Sequence, residues 1–345
     1  IVPEQFTMQT QKTLVEMHPG KGILNIDVLS FQRLAYRVFE EVGGAREVLL
    51  DDTGKSLVLQ KLVQQHKKEL PYLGSQMNKP GYLDEVKSLI SEFMQYDIRQ
   101  EELSDMLEKT GEDSLLQMKM NDVSVLYQAF TDYLEGHYMT GEGVMDALKK
   151  AIPFSRKLKN SVLLLDGFTG FTPVQMNVIR ELLAVCDQVL VTVTMDVKEN
   201  PLQMGKPHQL FYMSRKMIHT LSGLINDLDD PVYLKEEKKG RFSDAPALGF
   251  LEQHLFRYRK AAYGKSQDEI RIFAAESPIK ELEETARRIS RLVREHGYRY
   301  GQIAVITGNL EEYGSIARHV FDAAEIPFFV DEKHSVLMNP FVEYL

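Results

Sequence analysis

Asp166 is the residue whose setting most resembles chemistry. It closes the apolar run Val162-Leu163-Leu164-Leu165 and is followed by Gly167. Open α/β sheets bind ligands at the carboxyl ends of their strands, and nucleotide hydrolases place there an acid that holds magnesium through water. Those enzymes usually set a Glu next to the acid to orient the attacking water. Gly167 has no side chain, so hydrolysis from this position is not expected. Asp-Gly is also an ordinary turn. Gly54-Lys55-Ser56 has the ending of a phosphate-binding loop, but that loop needs a glycine five residues before Gly54, and Leu49 stands there. A surface turn ahead of a helix is the expected reading of 51–54.

Other candidates are weaker. Arg287, Arg288, Arg291 and Arg294 share one helix with Glu283, Glu284 and Glu295, which reads as a solvated, paired face. Arg257, Arg259, Lys260 and Lys265 are interleaved with Tyr258 and Tyr263, which suits either a strand-binding surface or a linker. The nine His show no HExxH pattern. The one cysteine, Cys186, follows a helical apolar face and reads as a core thiol; alone it builds neither a disulfide nor a cysteine metal site within these residues.

The elements around Asp166 follow from periodicity. Residues 161–166 read as a strand. Thr172 with Gln175 is a capping box, with Pro173 at the first helical position. Met176, Ile179, Leu182 and Leu183 supply that helix's buried face, and 189–194 is the next strand, so a parallel crossover is predicted. Upstream, 23–29 reads as a strand and Ser30 as the cap of a helix carrying Phe31, Leu34, Ala35, Val38, Phe39 and Val42, stopped by Gly43-Gly44. Between these, 57–152 shows helical spacing and almost no strand signal, as in 83–93, 103–107 and 123–134. After a polar linker the α/β pattern restarts: strand 270–274, helix from Ser277-Pro278 to Gly297, strand 303–307, helix 311–324, strand 328–330.

The 345 residues suggest two or three domains. With 43% hydrophobic and 26% charged residues the chain has material for real cores, which excludes disorder throughout. Its net charge of −9 argues against a generic nucleic-acid coat but not against a local basic groove. No run approaches the roughly 18 apolar residues of a membrane span, and no signal peptide is seen, so no membrane association and a cytoplasmic location are expected. The start at Ile1, without Met, reads as a piece of something longer.

Four blocks, taken in order, resemble one family. They are Val2-Pro3-Glu4-Gln5-Phe6-Thr7; Val28-Leu29-Ser30-Phe31-Gln32-Arg33-Leu34-Ala35; Leu165-Asp166-Gly167-Phe168-Thr169-Gly170-Phe171-Thr172-Pro173-Val174-Gln175; and Gly297-Tyr298-Arg299-Tyr300-Gly301-Gln302-Ile303-Ala304-Val305-Ile306 followed by Ile326-Pro327-Phe328-Phe329-Val330-Asp331. Over essentially all 345 residues the chain resembles AddB, also called RexB, one of the two subunits of the bacterial ATP-dependent helicase–nuclease.

The resemblance implies an α/β fold of the RecA-like P-loop NTPase kind, as in superfamily 1 helicases. Residues 1–56 and 153–247 would form a first RecA-like domain, split by a helical insertion at 57–152. Residues 248–267 would be a linker and 268–345 the start of a second RecA-like domain. The family's phosphate loop would precede Ile1, and its nuclease domain with an iron–sulfur cluster would follow Leu345. ATP and magnesium are thus implied for the full-length member, and no cofactor for these residues. By position, Gln5, Thr7, Ser30, Phe31 and Arg33 fall in strand-contacting motifs. Phe31 suits either a stacking platform or a core. Asp166 falls at the metal-binding acid, Gly167 at the catalytic Glu, and Gln175 near the residue that couples nucleotide to DNA. No catalytic residue is assigned. The implied role is a Chi-scanning, DNA-guiding scaffold that processes double-strand ends for recombinational repair. Its partners would be an AddA-type motor subunit and single- and double-stranded DNA ends. The alternatives are a protein-docking scaffold without its own DNA binding, and a nucleotide hydrolase using Asp166.

Overall fold

The computed structural model describes residues 1–43, 48–77, 79, 81–108, 114–225, 228–234, 240–257, 261–331 and 339–344. Gly44, Tyr258, Arg259 and Lys260, singled out above, lie outside the described residues. The chain divides into two compact units, Ile1–Lys235 and Glu236–Leu345.

In the first unit a short 3-10 turn, Glu4–Phe6, leads into α1 (Thr7–Met17) and then α2 (Phe31–Val42). A two-residue strand β1 (Val48–Leu49) precedes α3 (Asp52–Gln65), α4 (Leu73–Gln76), α5 (Tyr82–Gln95), α6 (Gln100–Glu108) and α7 (Leu115–Leu134). Then come β2 (Tyr138–Met139), α8 (Gly143–Ala151), α9 (Arg156–Lys159), β3 (Val162–Leu165), α10 (Pro173–Val185), β4 (Gln188–Val191) and α11 (Tyr212–Ser222).

β3 and β4 are parallel, in register from Val162 opposite Gln188 to Leu165 opposite Val191. Helix α10 connects them, as the pattern predicts. On the other side of β3, the Ile1 nitrogen donates to Leu164 O and the Asp166 amide donates to Ile1 O at 3.0 Å. That alternation is the signature of parallel pairing. Val2 N in turn donates to Leu29 O at 2.9 Å. Here the expected strand 23–29 is corrected: Leu29 makes this one bond, and Leu24 is fully in solvent. A lone apolar run has no ladder unless a neighbour lies alongside it.

The α/β core holds Leu34, Ala35 and Val38 of α2, Val144 and Leu148 of α8, Leu163 and Leu165 of β3, and Val178, Ile179 and Leu182 of α10. Each large apolar side chain among them contributes about 1.5–3 kcal/mol on burial. Both helix starts are fixed locally. Ser30 Oγ accepts from Arg33 N at 3.2 Å, and Thr172 forms its reciprocal box with Gln175. Gly43, at φ 91°, ends α2 where a side chain would be strained.

Helices α3 to α7 build a separate core around Leu59, Leu62, Ile90, Phe93, Leu126 and Phe130. Helix α8, within the stretch 57–152, packs instead with α2 and α10. The turn expected at 51–54 is already the start of α3: Asp51 caps it, accepting from Gly54 N at 2.7 Å. Lys55 is buried there, its Nζ 3.0 Å from Glu142 Oε2 and 3.2 Å from Ser91 Oγ, with side-chain exposures of 7% for Lys55 and 10% for Glu142. Gly54-Lys55-Ser56 therefore cradles no phosphate.

The second unit contains α12 (Pro246–His254), α13 (Pro278–His296), α14 (Leu310–Ala323) and α15 (Pro340–Tyr344). Helix α12 begins ahead of the stretch 248–267 read as a linker and occupies its first part. Ser277 caps α13 and Gly297, at φ 73°, ends it, as predicted. Helices α13 and α14 pack through Leu282, Ala286, Ile289, Val320 and Phe321. The strands expected at 270–274, 303–307 and 328–330 form no ladder among the described residues. The protein is thus mostly helical, of α/β type, with small parallel sheets.

Candidate functional site

The first two blocks meet at the carboxyl end of β3. Arg33 Nε donates to Glu4 Oε1 at 3.0 Å, joining the start of α2 to the turn before α1. Phe31 is buried, edge-on to Phe168 at 5.7 Å and to Phe171 at 6.2 Å between ring centres, and those two rings lie 4.9 Å apart. Phe31 is therefore core, and it pins the loop 166–172 to α2.

The remaining predicted residues divide by availability. Gln5 is exposed, with no hydrogen-bond partner among the described residues. Thr7 is buried, and its hydroxyl donates to Glu4 O at 3.0 Å. Ser30 is buried and acts as the cap of α2. Gln175 Oε1 accepts from Thr172 N at 3.0 Å, so its carbonyl end belongs to the cap of α10. Gln5 and Arg33 are thus the two that face solvent with donor groups.

Asp166 is half-buried. Its carboxylate Oδ1 accepts from the Thr192 hydroxyl at the end of β4. Gly167, at φ 79°, turns the chain where a β-carbon would lie 3.6 Å from Pro3 Cδ. A cleft of about 330 Å³ opens beside this turn, lined by Pro3, Phe6, Gln9, Thr13, Asp166 and Gly167 among others. It presents amide and hydroxyl groups beside apolar rings and a single acid. Such a lining suits hydrogen bonding and packing of a partially polar chain.

Sequence reading missed Thr192, Phe168, Phe171 and the face of α1. Phe168 and Phe171 stand inside the quoted block, and their spacing around Gly167 is the available signal. Thr192 carries no sequence signal, because its part depends on the register of two strands. Elsewhere, three of the four arginines on α13 are paired as predicted: Arg287 and Arg288 each lie 2.9 Å from Glu284, and Arg291 lies 3.7 Å from Glu295. Arg288 also stacks over Phe273 at 4.1 Å. Burial pushes the Cys186 thiol up, and the Ser161 hydroxyl near its sulfur opposes this only partly; the thiol is half-buried.

Residues 1–252 match the N-terminal AddB family, described as ADDB, N-terminal. The chain belongs to this family. Three relatives of AddB type carry the name of the B subunit of an ATP-dependent helicase/deoxyribonuclease. The chain is 42% identical to that of Lachnoclostridium phytofermentans, over 100% of its own residues and 31% of the relative. It is 32% identical to that of Clostridium novyi, over 99% of the chain and 30% of the relative. It is also 32% identical to that of Alkaliphilus metalliredigens, over 100% and 30%. The chain therefore spans about a third of the length of these AddB relatives.

The groups implied for full-length AddB can be tested against the residues present. An iron–sulfur cluster needs several thiolates, and one cysteine does not fit it. Among the described residues no group of three or more His, Cys, Asp or Glu is placed to hold a metal. Asp166 is the lone acid of its cleft, with one oxygen already bonded to Thr192. These residues alone do not fit a magnesium–nucleotide site. No helix among the described residues is long and apolar enough to cross a membrane.

Proposed function

We propose that this AddB-family chain is the helicase-like front of a cytoplasmic subunit that processes double-strand DNA ends for recombinational repair. In this reading one unwound strand passes over the surface carrying Gln5 and Arg33, and an AddA-type partner supplies the motor. Residues 1–56 and 153–247 act as a RecA-like body, 57–152 as its helical insertion, 248–267 as a linker and 268–345 as the start of a second such body. Scanning for a Chi-type sequence belongs to the same role. The observation that carries the reading is the family match over residues 1–252, together with the helicase/deoxyribonuclease name of the relatives. The parallel order of Ile1, β3 and β4 supports it, since it sets both strand-contacting blocks beside Asp166.

The test is equilibrium binding of a labelled single-stranded oligonucleotide across a salt series, with ATP hydrolysis measured alongside. Contacts to phosphate predict affinity that falls steeply with salt, with no hydrolysis. Hydrolysis by these residues alone would overturn the scaffold reading. The net charge of −9 favours one second reading, a protein-docking scaffold. Absence of binding at low salt would leave that alternative, or mean that DNA is gripped only by the complete heterodimer.

A further inference from the structure

By the family resemblance Asp166 would fall at a metal-holding acid, yet its surroundings serve a different purpose. Its carboxylate accepts from Thr192 Oγ1, and the Thr192 amide donates to Leu165 O at 2.9 Å. Side chain and backbone of one residue therefore tie the ends of two adjacent parallel strands. The Asp166 amide is spent on Ile1 O, so the residue is held from two sides. Immediately beyond it, Gly167 takes its left-handed turn against Pro3, and Phe168 and Phe171 close on Phe31. Each contact fixes the loop 166–172, whose first two residues, Asp166 and Gly167, line one wall of the cleft beside Pro3 and Gln9.

We propose that Asp166 and Thr192 are a positioning pair. Asp166 works as a hydrogen-bond acceptor that anchors the cleft wall, and not as a metal ligand. The inference deepens the DNA-guiding reading, because the anchored wall faces the first strand-contacting block. The pair's existence does not require DNA.

The experiment follows amide exchange of peptides covering 162–172 in the full chain, by mass spectrometry. Asp166→Asn keeps an oxygen that accepts from Thr192, and Thr192→Ser keeps the hydroxyl. Both are expected within about twofold of the native rate, whereas Asp166→Ala and Thr192→Val each speed exchange about five- to tenfold, the loss of one ordinary hydrogen bond. The double variant Asp166→Ala, Thr192→Val should be no faster than either single change, because the two share one interaction. Peptides from α7 should stay unchanged in every variant. If Asp166→Ala disturbs α7 as well, the Thr192→Val and Thr192→Ser pair decides alone. The proposal is overturned if Asp166→Asn exchanges as fast as Asp166→Ala, or if Thr192→Val is silent. It is also overturned if added magnesium slows exchange in the native chain but not in Asp166→Asn. Failure of the oligonucleotide to bind the native chain sinks the DNA reading and leaves these exchange rates as they were.

Discussion

Two regions of this chain carry the same sequence signature and differ in outcome. In the first unit, apolar runs before and after α10 become β3 and β4, a parallel ladder four residues deep. In the second unit, the runs at 270–274, 303–307 and 328–330 flank α13 and α14 in the same way, yet form no ladder among the described residues. Their outward side chains are bare: Ile272 is 95% exposed, Ile306 92% and Phe329 88%. The helices of both regions form as expected, because caps and hydrogen bonds within a helix are local. A strand is a relation between segments, and its hydrogen bonds exist only when a neighbour lies alongside.

Amide exchange gives the strongest way to break this contrast. Amides of the β3–β4 ladder should be protected at least about a thousand-fold more than those of 271–274 and 304–307, equivalent to roughly 4 kcal/mol of local opening. Equal protection would mean that the second unit pairs its strands in solution. Side-chain truncation is the next test. Leu165→Ala, at a fully buried position of β3, should cost about 3 kcal/mol in denaturant unfolding, while Ile306→Ala should stay within about 0.5 kcal/mol. A large cost at Ile306 would show that this side chain is covered.

Helix caps sharpen the comparison from the other direction. Thr172→Ala and Ser277→Ala remove the same kind of cap in the two units. Each should cost about 1 kcal/mol by thermal unfolding, the usual worth of a capping hydroxyl. A silent Ser277→Ala would extend the difference between the units from strands to helices.

The smallest expected effect is electrostatic and confined to the first unit. The Ser155 hydroxyl, 2.6 Å from Glu41, joins the amides of Arg156 and Lys157 in holding the Glu41 carboxyl below its ordinary range. The folded carboxyl therefore gives up its proton more readily than the unfolded one. Its contribution is fully present above the ordinary carboxylate pKa and fades as pH falls through the lowered folded value. Glu41→Gln should flatten that acid limb of a pH–stability curve.

Much of the fold is legible in the sequence because its cues are local. Ser30, Thr172, Pro173, Ser277 and Gly297 each mark a helix end by their own chemistry, and every one of those ends stands where the residue places it. The strand expected at 23–29 fails because a run of Ile, Leu and Val reports apolarity, not the presence of a neighbour. The site is legible in Asp166 and in the meeting of its flanking blocks. Phe31 is ambiguous, since an aromatic at a helix start looks the same whether it faces solvent or two other rings. Thr192 and Lys55 are opaque for a shared reason: their partners, Asp166 and Glu142, lie 26 and 87 residues away in sequence.

The bonds between Ile1 and the end of β3 span 163 residues or more, so making them closes a long loop. Ile1 cannot pair until β3 exists, and β3 lies beyond helices α3 to α7 with their self-contained core. Loop closure over such a span slows a free chain. The intervening stretch has a core of its own, and we expect it to form first and shorten the loop that Ile1 must close. A chain weakened in α3 to α7 should then reach its native sheet late, with the edges of β3 open to aggregation in the meantime.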